Sequence, residues 1–398
     1  MQLTNEKWAL EIKSLGGEIY FVGGCVRDFF LNKKSKDIDL LVRKVESENL
    51  TVLLKKYGRV DLVGESFGII KFKPSDSNED FDIALPRTEK WTGEKGYRAF
   101  NTISDPFLDI EKDLERRDFT INSIAKNAFT GEFVDPFGGI KDINNRVIKM
   151  TNPETFKDDP LRMLRAIQFA SRFNFLIDIE TERSIIANGE RIKEIPFERV
   201  LIELDKIVKK GSISLAYYLL DTTNLGYHIF GVEIKSSPYN YDVFNNSDSI
   251  GSFLFFLLKN KLNGAVSEFM KSKICSNDDV KICKALEFVY STQKPTYMDA
   301  FKLYALSSDV FFSKQLPFDM MKVVDYIIIN KMPYSFKELK INGDDLISEF
   351  GFEGKQIKEK LIFVIESIYN KKVENNKNKI IKFLTNEWFK SYYKRSII

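Results

Sequence analysis

The sequence predicts an α+β protein in which a mixed α/β head is followed by an all-helical remainder. Up to about residue 137, short runs of β-branched and aromatic residues alternate with turn residues and with helical patterns. After about residue 139 the strand signals fade and helical patterns continue to the C-terminus. A chain of 398 residues is too long for one compact core, so about two to four domains are expected.

The predicted strands lie in the head, and the predicted helices lie after it. Strands are predicted in the head at residues 19–22, 38–42, 60–63, 68–72, 81–84 and 132–134. Helices are predicted at residues 159–173, 181–190, 197–210, 213–220, 251–258, 263–271, 278–292, 298–307, 317–330 and 356–370. The charged, glycine-interrupted segment 87–97 is predicted to be a mobile loop.

Composition excludes several classes of protein. No apolar run approaches the roughly 18 residues of a membrane span. The three cysteines form neither an even framework nor a CxxC pair, which fits a reducing cytoplasm. Because the net charge is only +3, any nucleic-acid site has to come from local basic clusters. The only histidine, His228, excludes sites built on several histidines, and we expect a structural role for it.

The most informative segment reads YFVGGCVRDFFLNKKSKDIDLLV. A strand runs into the turn Gly23-Gly24, and a helix carrying Arg27 follows. Asp37 and Asp39 are two residues apart on the next strand, so their carboxylates share a face. Such carboxylates repel each other unless a cation lies between them, and Mg²⁺ binds this kind of ligand together with substrate phosphates. The glycine turn predicts a phosphate site, with Arg27 aimed at the same phosphates.

Each of these pieces also has a plainer interpretation. Two aspartates on a strand are usually solvated charge, and a glycine pair is more often a bend than a phosphate loop. Their order and spacing favour function, because a metal site and a phosphate site so close together suggest nucleotidyl transfer.

A second cluster lies in DLERRDFTINSIA, where a charged loop meets a predicted helix. Arg116, Arg117 and Asp118 are compatible with a solvated salt-bridge cluster. Beside a metal–phosphate site, however, Arg117 is a candidate for the triphosphate, since its guanidinium offers a fork of donors. Asp118 can brace an arginine, and Asn122 on the same helix can donate to ribose or phosphate.

A third cluster, KDDPLRMLRAIQFASRF, indicates which nucleotide enters. Asp159 is predicted to be a helix N-cap before Pro160, and a cap carboxylate keeps one oxygen free. Arg162 and Arg165 share a face one turn later. Asp159 can accept from the exocyclic amino group of cytosine or adenine, while Arg162 donates to the ring nitrogen or to cytosine O2. Uracil and guanine present a carbonyl oxygen there, so CTP and ATP are the predicted substrates.

In this order the motifs resemble those of the class II tRNA nucleotidyltransferases (CCA-adding enzymes) and bacterial poly(A) polymerases. GGCVRD with DID resembles motif A, RRDFTIN motif B, DPFGG motif C and DDPLRMLRA motif D. The segment ERVLIEL, which contains Arg199, resembles motif E. The similarity is dense over about residues 18–205 and weaker at the C-terminus. The proline and glycines of DPFGG indicate a turn, which we interpret as a hinge between the head and the helices.

The resemblance implies a polymerase-β-type nucleotidyltransferase head followed by an all-α neck, body and tail. The implied ranges are 1–138 for the head, 139–210 for the neck, 211–335 for the body and 336–398 for the tail. It also implies that the helical domains grip the acceptor and TΨC arm of tRNA. CCA would be added from CTP and ATP without a nucleic-acid template, and pyrophosphate would be released.

The resemblance further implies roles for individual residues. Nucleotide contacts are implied for Gly24, Arg27, Arg117 and Arg165, and Mg²⁺ is expected on Asp37 and Asp39. Asp82, on the strand FDIA, is the candidate for a third catalytic carboxylate, the alternative being an exposed strand residue. Residues 87–100 fall where the family carries a flexible loop that helps to switch from C to A addition.

Two departures from the family pattern stand in the third cluster. Asp158 replaces the usual glutamate, and Gln168 replaces an arginine commonly found three residues after Arg165. One positive charge near the nucleotide is therefore lost.

Several alternatives stay open on the sequence. CC-only addition, A-only addition and poly(A) synthesis use the same chemistry. A non-catalytic RNA-binding scaffold would not need the pair Asp37 and Asp39, and a small-molecule nucleotidyltransferase would lack the long helical arm.

Overall fold

The computed structural model describes residues 2–35, 37–63, 69–91, 100–234, 249–262 and 265–395. The chain divides into two compact units, Met1–Tyr241 and Asp242–Ile398. The first unit holds a mixed sheet with helices, and the described part of the second is helical, so the predicted α+β class is confirmed. The finer division at residues 138, 210 and 335 stays a prediction.

The described strands all belong to the first unit. They are β1 (Glu18–Val22), β2 (Ile38–Arg43), β3 (Gly58–Val63), β4 (Ile69–Pro74), β5 (Phe81–Ala84), β6 (Arg87–Trp91), β7 (Phe100–Ser104), β8 (Ala125–Asn127), β9 (Phe133–Val134), β10 (Val147–Ile148) and β11 (Leu176–Ile177). Seven of them form the main sheet in the order β3-β4-β5-β2-β1-β8-β9. Within it, β2 and β5 pair in parallel, whereas the other neighbours are antiparallel.

The helices of the first unit surround this sheet and continue beyond it. They are α1 (Lys7–Ser14), α2 (Gly24–Phe30), α3 (Ser47–Lys55), α4 (Ile110–Glu115), α5 (Gly139–Asn145), α6 (Thr155–Asp158), α7 (Leu161–Phe173), α8 (Ile179–Asn188), α9 (Phe197–Lys210), α10 (Ile213–Thr222) and α11 (Leu225–Phe230). His228 lies on α11 with its ring against Gly189, which agrees with a structural role.

The second unit is built from helices that mostly start and end within a few residues of the predicted ones. They are α12 (Ile250–Leu258), α13 (Val266–Ser272), α14 (Asn277–Ser291), α15 (Tyr297–Leu306), α16 (Ser308–Phe311), α17 (Phe318–Ile329), α18 (Gly343–Phe350), α19 (Lys355–Tyr369) and α20 (Lys377–Arg395). Among the described helices of both units, none has the length and apolar composition needed to cross a bilayer.

The central strands β1 and β2 of the main sheet are buried because both faces of the sheet are covered there. On one face, Trp8 of α1 packs against Phe72 and Phe81, with ring centroids 5.2 and 5.4 Å away. On the other, Tyr20 and Leu41 pack in a cluster with residues of α4. Strands buried on both faces are apolar along their length, and this packing fixes the position of β2 and β5, whose N-terminal ends carry the acidic residues.

The segment predicted as a mobile loop is partly a hairpin. Arg87–Trp91 and Phe100–Ser104 pair as antiparallel strands, which corrects that prediction for their part of the segment. Alternating side chains in RTEKW and FNTIS are compatible with strands, but the charge of the segment obscured this signal. Residues 92–99, the centre of the predicted switching loop, lie outside the described part of the chain.

The helix predicted around Asn122 is wrong. Thr120–Asn122 forms a single 3-10 turn, and strand β8 follows. The Asp118 carboxylate accepts from the backbone N–H of Phe119 and from the side chain of Asn122. Side-chain bonds of this kind compete with helical hydrogen bonds and end the helix early.

Candidate active site

A cavity of about 720 Å³ lies in the first unit, lined by residues of α2, of the N-terminal end of the central strand β2, and of helices α7 and α9. It brings together every residue predicted for the site except Asp82. The predicted residues that line it are Gly23, Gly24, Arg27, Asp37, Asp39, Arg117, Asn122, Asp159, Arg162 and Arg165. Residues from three separate sequence clusters therefore share one space.

Three carboxylates lie at the N-terminal ends of the neighbouring interior strands β2 and β5. The parallel pairing of β2 with β5 places Asp82 directly beside Asp39, and Asp37 precedes Asp39 by two residues. Burial and the nearby charges of Asp82 and Asp37 raise the pKa of Asp39, although Arg117 opposes the rise. Asp82 itself faces a neighbouring depression and Lys71, 3.5 Å away, rather than the cavity.

Gly23 allows the basic and acidic sides of the cavity to approach each other. Its φ of 70° suits glycine. A Cβ atom there would lie 2.9 Å from Nη1 of Arg117 and 3.7 Å from Oδ2 of Asp39. Any larger residue would therefore push Arg117 away from the carboxylate.

Arg117 is held in place by a carboxylate that is fully buried. Asp113 accepts from Arg117 at 3.1 Å, from Arg116 at 2.8 Å and from the backbone N–H of Arg87 at 3.2 Å. Although burial raises the pKa of Asp113, the guanidinium groups of Arg117 and Arg116 outweigh it and hold that pKa below its usual range. The role of Asp113 could not be read from the sequence, where it is one acidic residue among several.

Replacing Asp113 by asparagine should strongly destabilise the head. The variant removes the buried carboxylate that Arg117 and Arg116 share, which costs about 3 kcal/mol or more of unfolding free energy. Asp109→Asn is the matched control, because Asp109 is 81% exposed and 3.3 Å from Arg43, and such a pair contributes less than about 1 kcal/mol. Thermal and urea unfolding measure both, and equal small losses would contradict the assigned role.

Comparing the wild type with Asp113→Asn at different pH values gives a second test of Asp113. Because the pKa of Asp113 is lowered in the folded state, its stabilisation is complete above the unfolded pKa of about 3.9 and is lost as the pH falls below it. The difference in melting temperature between the wild type and Asp113→Asn should therefore be constant at neutral pH and shrink below about pH 4.

A chain of hydrogen bonds connects α2 with α7 across the cavity wall. Nη1 of Arg27 donates to Oδ1 of Asn122 at 2.7 Å, and Nδ2 of Asn122 donates to Asp118 at 2.9 Å. The other oxygen of Asp118 accepts from Arg165 at 2.7 and 2.9 Å. Despite burial, the charge of Arg165 holds the pKa of Asp118 below its usual range. Asp118 thus braces an arginine, as predicted.

Asp159 is held more firmly than the sequence indicated. Its Oδ1 accepts from the N–H of Leu161 at 3.1 Å at the start of α7, and its Oδ2 accepts from Arg199 of α9 at 3.0 Å. The predicted free oxygen is therefore wrong. A carboxylate oxygen still has capacity for a second donor, and the two contacts fix the plane of the group.

Three buried donors on residues that line the cavity have no partner among the described residues. They are Nη1 of Arg162, Nε of Arg117 and the amide nitrogen of Gln168. Glu203 adds one unpartnered acceptor, its Oε2, to the same lining. Buried polar groups without partners are costly, so the cavity is shaped for a ligand that accepts hydrogen bonds.

The fold and the cavity define a nucleotidyltransferase. Residues 19–149 match a model described as the poly A polymerase head domain, residues 174–234 a model for the RNA- and SrmB-binding site of polymerase A, and residues 244–384 a model for tRNA nucleotidyltransferase domain 2. The chain belongs to the family of tRNA nucleotidyltransferases and poly(A) polymerases.

Individual relatives agree with this assignment along most of the chain. The CCA-adding enzyme of Anoxybacillus flavithermus is 29% identical over 93% of both chains. The multifunctional CCA protein of Stenotrophomonas maltophilia is 40% identical over 48% of this chain and 45% of that protein. The crystal structure of the Bacillus stearothermophilus CCA-adding enzyme in complex with CTP matches with a TM-score of 0.74, at 22% identity and 97% coverage of both chains.

Proposed function

We propose that this protein adds CCA to the 3′ end of tRNA from CTP and ATP. The observation that carries the proposal is that one cavity is lined both by Asp37 and Asp39 and by the pair Asp159 and Arg162. The first pair provides ligands for a metal, and the second provides a protein surface that selects the base. A nucleotide bridging them needs no nucleic-acid template.

Members of this family generally use a divalent metal ion, and we propose Mg²⁺ on Asp37 and Asp39. The residues fit such an ion, because hard carboxylate oxygens are its preferred ligands. Burial, together with the charges of Asp82 and Asp37, raises the pKa of Asp39, and a bound cation would offset both effects. When bound, the metal would lower the pKa of the attacking 3′-hydroxyl and neutralise the leaving pyrophosphate. Asp82 stays a proposed third carboxylate, adjacent in register to Asp39.

The protein side chains position the remaining parts of the nucleotide. We assign Gly23, Gly24, Arg27 and Arg117 to the triphosphate, since they line the cavity beside the carboxylates. Arg165 and Asn122 are engaged with Asp118, so their contribution is to hold this wall in place as well as to contact the nucleotide. An arginine held by a neighbouring carboxylate costs less entropy when it binds phosphate.

Base selection rests on Asp159 and Arg162. Arg199 and the start of α7 orient the Asp159 carboxylate, and Arg162 keeps an unpaired donor beside it. Cytosine and adenine satisfy both groups, whereas uracil and guanine place a carbonyl oxygen against the carboxylate. The partners we propose are therefore CTP, ATP and the acceptor–TΨC arm of tRNA. A cytoplasmic location is proposed from the three cysteines, which are all free.

Three tRNA primers test the proposed product. They end at the discriminator base, at C and at CC, and each is extended with CTP alone, ATP alone or both. We expect two C additions with CTP alone on the first primer, and one A addition to the CC primer. Addition stopping at CC would show a CC-adding enzyme, and addition only to the CC primer an A-adding one.

Poly(A) synthesis is the second candidate, because the head matches a poly(A) polymerase model. Long A tails on primers that lack CC would favour it over CCA addition. No extension of any primer by the wild type, with Mg²⁺ present, would contradict the proposed function.

A further inference from the structure

Two residues that line the cavity, Gln168 and Arg172, carry hydrogen-bond donors that take no part in the hydrogen bonds described above. Arg172 lies in the last turn of α7, four residues after Gln168, so the two side chains share a face of the helix. Both line the cavity. Among the described residues, Arg172 has no hydrogen bond or ion pair, and the buried amide nitrogen of Gln168 has no partner.

The surroundings of Arg172 are positively charged. The ring of Phe173 has three cations around it: Arg27 at 4.7 Å, Arg172 at 5.0 Å and Lys33 at 5.0 Å from its centroid. The neighbouring carboxylate of Asp28 is already bound by Arg27 at 2.7 Å. Burial and the like charge of Arg27 lower the pKa of Arg172. Cation–π contact with Phe173 and the negative charge of Asp28 offset part of this repulsion, but no carboxylate forms an ion pair with Arg172 among the described residues.

We propose that Arg172 and Gln168 form a phosphate-binding subsite in the cavity, with Lys33 adding positive charge from its position against the ring of Phe173. The groups are donors, so the ligand has to be rich in acceptor oxygens and negatively charged. Phosphate meets both conditions and would relieve the repulsion between Arg27 and Arg172. The proposal rests on the proposed function for its two sources of phosphate, the triphosphate of the incoming nucleotide and the phosphodiester at the RNA primer end.

Equilibrium binding to the full chain tests the subsite without requiring catalysis. Tripolyphosphate binding is measured by calorimetry, and binding of tRNA lacking CCA is measured across a series of salt concentrations. In Arg172→Gln, at least one of the two should weaken about tenfold, because a charge-assisted hydrogen bond is lost. Weaker tripolyphosphate binding identifies the triphosphate of the incoming nucleotide as the group that the subsite binds. Weaker tRNA binding, with a salt slope smaller by about one, identifies the primer phosphodiester.

Matched variants separate the subsite from general charge effects. Arg183→Gln is the control, since Arg183 pairs with Glu180 on exposed α8 and does not line the cavity. Arg172→Lys keeps the positive charge but lacks the planar fork of guanidinium donors, so its affinity for the weakened ligand should lie between those of the wild type and Arg172→Gln. Lys33→Gln alters an exposed side chain and gives the same test if Arg172→Gln unfolds.

Unchanged affinity for both ligands in Arg172→Gln and Lys33→Gln, within twofold of the wild type, would overturn the proposal. Because neither assay needs nucleotide addition, this failure is distinct from failure of the proposed function, which the primer-extension assay reports. A protein that extends primers normally while both affinities stay unchanged would keep its function and lose the subsite.

Discussion

Asp39→Asn should abolish nucleotide addition while leaving the protein folded and able to bind tRNA. The loss in kcat should be on the order of 10³-fold or more, because several kcal/mol of metal-derived stabilisation disappear with one ligand. The folded state already disfavours the charge on Asp39, whose pKa is raised. Removing that charge at neutral pH should therefore leave the melting temperature unchanged or slightly higher.

This combination of lost activity and retained stability distinguishes a catalytic carboxylate from a structural one. Asp61→Asn is the control, as Asp61 lies on β3 of the same sheet, about half exposed and paired with Arg59 at 2.8 Å. It should retain full activity. Binding of tRNA lacking CCA, measured at equilibrium, should be the same for both variants. Robust addition by Asp39→Asn at saturating Mg²⁺ would rule out Asp39 as a metal ligand.

The head and most helices could be predicted because their signals are local. Alternating or continuous apolar runs mark β1, β2 and β5, and the period of 3.6 residues marks helices such as Phe197–Lys210, which the prediction matched. The hairpin of β6 and β7 was not predicted because β6 and the segment that follows it are rich in charged residues. The turn at Thr120–Asn122 escaped because it depends on bonds made by Asp118.

The residues that line the site could also be predicted, but the residues that hold them in place could not. Motif residues such as Asp39 and Arg162 recur in recognisable patterns. The residues that hold other members of the site are Asp113, which binds Arg117, and Arg199, which binds Asp159. Neither role could be recognised from the spacing of the motifs. The nearest signal was Arg199 within ERVLIEL, where an arginine on the apolar-striped helix α9 indicates a specific acceptor opposite. Asp159 and Arg199 show the reason, because they are 40 positions apart in the sequence while Nη2 of Arg199 lies 3.0 Å from Oδ2 of Asp159.

Arg162→Gln should reduce base discrimination without reducing stability. Its Nη1 is buried with no partner among the described residues, so removing the charge forfeits no described hydrogen bond at that atom. The kcat/KM for CTP and ATP should fall about 10- to 100-fold, since a bidentate contact to a base edge is worth about 1–3 kcal/mol. Addition of UTP and GTP should fall much less, because those bases do not use this pair.

Asp159→Asn provides the contrast that tests this assignment. Asp159 also holds Arg199 and the first turn of α7, so its replacement should lower the melting temperature together with selectivity. Arg162→Gln should lower selectivity alone. If instead Arg162→Gln lowered kcat/KM equally for all four nucleotides, Arg162 would contact a part that they share, such as the ribose or triphosphate. The base would then have to be selected by Asp159 alone, with half of the hydrogen-bond pattern that separates cytosine and adenine from uracil and guanine.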